Sequence, residues 1–218
     1  MRIDWDIDPF NLFSVETDGL SRVEFRSIEA QLTEFENAAF AVFVILFTRA
    51  LLSFRLNMYM PLSQVDENMR RAHARDASRY QKFFWRDSLS TEGNGQMGEY
   101  SIHEIMNGTA QSPGGLIGFV RQYIHSEMGE RSDVLDQVLD KYLTFLSKRA
   151  SGEYLTTAAW IRRYVEEHPE YQKDSVVTHA INFDLVRACS EISEGSLEAA
   201  NLLPPISVRQ VPKGTSPV

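Results

Sequence analysis

Glu24 and Arg26 stand two residues apart in the stretch Ser21-Arg22-Val23-Glu24-Phe25-Arg26-Ser27-Ile28, where apolar and charged residues alternate as they do in a β-strand. Residues two apart on a strand point the same way, roughly 7 Å from each other at about 3.3 Å per residue. Val23 and Phe25 therefore share one face, and Glu24 and Arg26 present a carboxylate and a guanidinium to a common site on the other. A carboxylate is a hard oxygen ligand suited to Mg2+. A guanidinium offers phosphate a planar fork of donors. Together they suit a site that holds a metal–nucleotide and neutralises charge during phosphoryl transfer. The competing reading of this pattern is a solvated strand face, because alternating charges are common there.

Other constellations point to less chemistry. The histidines His73, His103, His125, His168 and His179 show no metal-protease spacing, and none pairs with Cys189 in a zinc-like pattern. His103 beside Glu104 reads as a surface helix pair. Pro113-Gly114-Gly115 has neither the lysine nor the upstream strand of a phosphate-binding loop and reads as a turn. Cys189, between Val186 and Ile192 on a helical pattern, reads as a small core residue. No serine sits in a nucleophile-elbow motif. The basic run Arg70-Arg71-Ala72-His73-Ala74-Arg75 reads as a solvated helix face, with Glu67 and Arg71 at pairing distance four residues apart.

These residues need elements to position them. Thr33-Glu34-Phe35-Glu36 has the capping-box pattern and predicts a long helix running towards Asn57 and ending near Pro61. The unbroken apolar run 38–47 is too short for the roughly 20 residues of a membrane span. Glu34, Glu36, Arg49 and Arg55 also fence it in, so it is expected to be a helix buried on nearly all sides. Ser63 is expected to cap a charged helix reaching Arg79, residues 87–99 to form a polar loop, and residues 101–106 and 116–125 to be helical. Residues 133–148 place Leu135, Val138, Leu139, Tyr142, Leu143 and Leu146 on one helical face. Helices over 157–168 and 179–193 follow. The expected organisation is an irregular lead over 1–20, a helical region over 21–195 and a disordered proline-containing tail over 196–218. It is mainly α, with a small β contribution from one strand near residues 21–28.

The 218 residues carry 22 Lys and Arg against 30 Asp and Glu, a formal charge of -8, with 43% hydrophobic residues. That excludes a wholly disordered chain and argues against a general nucleic-acid or anionic-membrane binder. The single cysteine excludes a disulfide-stapled scaffold, and the acidic residues 1–6 lack an apolar leader run, so a cytoplasmic setting is expected.

The blocks Arg22–Leu32, Thr33–Ala39, Pro61–Met69 and Lys148–Glu153, with Trp160, His168–Tyr171 and Lys173–Val176, occur in an order that resembles the eukaryotic-type glutamate–cysteine ligase catalytic subunit. The resemblance covers about residues 22–195 and is to the C-terminal portion of that family. It implies an ATP-dependent ligase that joins the γ-carboxyl of L-glutamate to L-cysteine through a γ-glutamyl phosphate, the first step of glutathione synthesis. It also implies the helical part of a glutamine-synthetase-like carboxylate–amine ligase fold. By the same resemblance Glu24 becomes a Mg2+ ligand, and Arg26 a catalytic residue that clamps the phosphates of ATP. Ser27 stands where the family usually has proline. Family chains are several times longer, so the chain is expected to be truncated and inactive alone, since one carboxylate cannot fix an octahedral Mg2+. A missing N-terminal part or a modifier subunit is the implied partner. The alternative is a catalytically inactive helical module that docks a partner subunit.

Overall fold

The computed structural model describes residues 30–91, 95–110 and 114–205. The described residues from Leu32 onwards form one compact unit, mainly helical with a small two-stranded sheet. Its first helix, α1 (Glu34–Ser53), starts as the sequence predicts. The Thr33 hydroxyl accepts from the Glu36 backbone N–H, and the Glu36 carboxylate accepts from the Thr33 N–H. Two donors that a helix start leaves unpaired are thereby satisfied. α1 stops at Phe54, short of Asn57, because Arg55 turns into the left-handed region at φ 50°.

The expectation that α1 is buried on nearly all sides is not met. Only the stripe Glu36, Ala39, Leu46 and Ala50 is buried, while Ile45 and Leu52 are exposed. The stripe packs against α5 (Gly115–Glu127) and α6 (Asp133–Ser151). Phe145 of α6, 1% exposed, is the centre of that core, ringed by Phe35, Phe40 and Tyr154. On α6, Leu139, Leu143 and Leu146 are buried as predicted, but Leu135 is exposed, as is Val134 beside it in the first turn. Trp160 of α7 (Thr157–Glu167) and Ile192 of α8 (His179–Ser193) complete the core. Leu202 and Leu203, inside the stretch expected to be disordered, are buried there too, and the Leu155 N–H donates to the Asn201 carbonyl.

The charged helix is shorter than predicted. α2 (Leu62–Ala72) has Pro61, not Ser63, at its N-cap, and the chain breaks at Asp76 (φ 51°) before the single turn α3 (Ala77–Tyr80). Beyond it lies a hairpin that hydrophobic alternation did not expose, β1 (Lys82–Arg86) paired antiparallel with β2 (Met97–Ser101) in the register Phe84↔Glu99. The predicted polar loop over 87–99 therefore overlaps β2. α4 (Ile102–Asn107), capped by Ser101 and Glu104, follows directly. A second small cluster of Phe83, Leu89, Ile105 and Leu116 lies under the hairpin. α2 is fastened to β1 through Asn68, whose amide accepts from the Phe84 N–H at 2.7 Å and donates to the Phe84 carbonyl at 2.9 Å. The side chain thus does for one strand residue what a third strand would do.

Candidate functional site

Glu24 and Arg26, with the whole expected strand 21–28, lie outside the described residues. The described chain is anchored shortly after them. Thr33 is 5% exposed and Glu36 fully buried, and the Glu36 carboxylate is engaged at both oxygens. One oxygen accepts from the Thr33 N–H at 3.2 Å and the Thr33 hydroxyl at 3.0 Å; the other accepts from the Arg149 guanidinium at 2.7 Å. Arg149, 9% exposed on the last turns of α6, also donates to the Leu202 carbonyl and lies 4.9 Å from the Phe145 ring centroid. Its Nε is buried without a partner. Burial pulls the guanidinium below its ordinary pKa, and the Glu36 carboxylate opposes that shift. One ion pair therefore ties together the start of α1, the end of α6 and the turn at Leu202. Each partner lies inside a block that carries the family resemblance, but the 113-residue separation hides the pairing from any local reading.

A polar cleft of about 570 Å3 opens between the α2–α3 turn and α7, lined by Arg75, Arg79, Tyr80, Arg162, Arg163 and Glu166 among others. Arg75 pairs with Glu166 at 3.2 Å, Arg79 with Asp76 at 3.5 Å and Arg163 with Glu167 at 2.7 Å. Arg79 also lies against Gly152, where a Cβ would meet its Nε at 3.1 Å. The Arg75–Glu166 and Arg163–Glu167 pairs are exposed and contribute little, so those two guanidinium groups can turn to an anionic ligand at small cost, whereas Asp76 is largely buried.

The remaining candidates stay apart. His103 is exposed and meets the Asn107 amide of its own helix at 2.9 Å, whereas Glu104, its expected partner, accepts from Ser101 in the capping box. His168 reaches Asp184 at 3.4 Å, with the Tyr164 ring nearby. Cys189 is half-buried, and burial pushes its thiol pKa up, away from nucleophilic readiness. Its expected neighbour Val186 points to solvent, 62% exposed, whereas Ile192 is buried. Among the described residues no group of three or more His, Cys, Asp or Glu side chains could hold a metal ion. Those residues therefore do not supply the oxygen set of an octahedral Mg2+.

Comparison with known proteins places this geometry in context. The sequence profile of the family described as glutamate-cysteine ligase matches residues 15–192. The chain is similar to a glutamate–cysteine ligase of Schizosaccharomyces pombe, 44% identical over 184 residues that cover 81% of this chain and 27% of the relative. It is 39% identical over 202 residues to a glutamate–cysteine ligase catalytic subunit of Mus musculus, covering 84% of this chain and 31% of the relative. A glutamate–cysteine ligase of Dictyostelium discoideum is 39% identical over 181 residues, 81% of this chain and 29% of the relative. The chain thus spans less than a third of the length of these relatives.

Proposed function

This chain belongs to the glutamate–cysteine ligase family, and from that premise we propose that it forms part of a site joining the γ-carboxyl of L-glutamate to the amine of L-cysteine, the first step of glutathione synthesis. The observation that carries the reading is the match over residues 15–192, which includes the Glu24–Arg26 strand pattern. ATP, bound with Mg2+, would supply the phosphoryl group that activates the γ-carboxylate as an acyl phosphate, and the cysteine amine would displace phosphate to form the amide. In this proposal Glu24 contacts the metal, and Arg26 holds phosphate oxygens and balances their growing charge. Both residues would act from one strand face of a glutamine-synthetase-like sheet. We assign the reaction to the cytoplasm.

The described residues hold no metal-binding cluster, so we propose that the isolated chain does not catalyse the ligation. A modifier subunit or further polypeptide is the partner this reading requires. The exposed apolar residues Ile45 and Leu52 favour a second reading, a helical module whose main task is docking.

The test is a chimera in which this chain replaces the matching region of the fission-yeast relative. ATP-dependent γ-glutamylcysteine formation is expected from it, Glu24→Ala should collapse turnover and Mg2+–nucleotide use, and Arg26→Ala should slow phosphoryl transfer while nucleotide still binds. Unchanged turnover in both variants would remove the two roles. Product formation by the purified 218-residue chain would overturn the claim that it is inactive alone.

A further inference from the structure

α1 has two opposite faces, and only one is used. At 100° per residue, the buried Glu36, Ala39, Leu46 and Ala50 fall within one narrow stripe. Ala41, Ile45, Thr48 and Leu52 fall on a stripe directly opposite, and all four are exposed, Ile45 at 57% and Leu52 at 58%. The second stripe has no need of water. The hydroxyl of Thr48, its one polar side chain, donates to the Val44 carbonyl at 2.8 Å, and Ala41 leaves room for close approach. A helix with apolar stripes on two opposite faces has surface to bury on both. By length and composition α1 could cross a membrane, but the stripe from Ala41 to Leu52 is only about 16 Å long, roughly half a hydrocarbon core. Glu34 precedes the stripe and the exposed Arg49 flanks it.

We propose that this face of α1 is a docking face, and that its occupant is polypeptide equivalent to the part of the glutamate–cysteine ligases that this chain does not match. Those relatives hold more than twice as much further chain as the matched region, 27–31% of their length being covered, so a polypeptide partner of the required size exists for each counterpart of α1. The proposal rests on the reading that this chain works as part of a larger ligase. Its test is chosen to separate the two.

The experiment compares Ile45→Glu/Leu52→Glu in two contexts, the 218-residue chain and the fission-yeast chimera described above. In the chain both side chains already face solvent, so the melting temperature should move by no more than about 2 °C. In the chimera two carboxylates would be forced against an apolar partner, and the melting temperature or soluble yield should fall sharply, by about 5 °C or more. Equal behaviour of the native and charged stripes in the chimera, folded or not, overturns the proposal. So does a large fall in the isolated chain, which would mean that the chain itself covers the stripe. A dimer of the isolated chain, or its co-sedimentation with phosphatidylcholine–phosphatidylglycerol vesicles, abolished by the substitutions, would assign the face to a second copy or to a lipid surface instead. A chimera that shows the context dependence but makes no γ-glutamylcysteine would sink the ligase reading and leave the docking face standing.

Discussion

Arg149→Met is the substitution that most directly probes how the start of α1 is held. It keeps an aliphatic stem but removes the guanidinium that lies over the Phe145 ring and donates to Glu36 at 2.7 Å and to the Leu202 carbonyl at 3.4 Å. The carboxylate left behind is fully buried and keeps only the two Thr33 bonds, at 3.2 and 3.0 Å. At an effective dielectric constant of about 20, opposite charges about 4 Å apart attract by about 4 kcal/mol. Desolvation of the two ions cancels much of that attraction while the pair is intact, but the cost of the abandoned ion persists after one partner is removed, so the loss is about 3–5 kcal/mol. Glu36→Gln should cost a similar amount from the other side, since Arg149 already carries one buried unpartnered N–H. The double variant Glu36→Gln/Arg149→Met should cost clearly less than the sum of the singles. Urea unfolding followed by circular dichroism measures all three as midpoint shifts at constant m-value. A loss below about 1 kcal/mol in either single variant, or strict additivity in the double, would show that the pair is hydrated or dispensable and would refute the argument.

Four further outcomes follow from the same geometry. Asn68→Ala strips both the donor and the acceptor from the Phe84 backbone and should destabilise by about 1–3 kcal/mol in the same denaturation assay, with faster hydrogen exchange in β1. Glu67 accepts from Arg70 and Arg71, which hold its pKa down from 4.5 to about 2. A depressed carboxylate contributes stability that is full above its unfolded pKa and is lost as pH falls from about 4.5 towards about 2, so Glu67→Gln should flatten stability across that window in acid titrations. Phe145→Ala empties the centre of the core and should cost about 3–5 kcal/mol by urea unfolding. Gly115→Ala should lower the melting temperature and the soluble yield: its φ is 52° and a Cβ there would sit 2.5 Å from the Gly108 N and 2.6 Å from the Ile105 carbonyl oxygen, a clash beyond the usual 1–3 kcal/mol or so of overpacking.

What could be read directly from the sequence is what depends on neighbours in the chain. The capping box at Thr33–Glu36, the helices over α4 to α8 and the buried Leu139, Leu143 and Leu146 all follow from contacts three or four residues apart. The hairpin was missed because Lys82–Arg86 and Met97–Ser101 lack clean alternation. One residue of β1 leans on a side chain of α2, a contact made 16 residues away. The α2 boundary was missed because the left-handed turn at Asp76 is a property of packing, not of helix propensity.

The candidate chemistry divides the same way. Residue types and two-residue spacing were enough to nominate Glu24 and Arg26, because strand geometry alone brings such side chains to one face. No spacing rule could have joined Glu36 to Arg149 across 113 residues, gathered the arginines of the α2–α3 turn, α3 and α7 into one cleft, or left one apolar face of α1 uncovered. Local order is encoded in steric and hydrogen-bonding preferences that act over a turn or a strand pair. Pairing of buried charges and exposure of apolar faces depend on which surfaces the folded chain brings within a few ångströms of each other, and only the tertiary structure decides that.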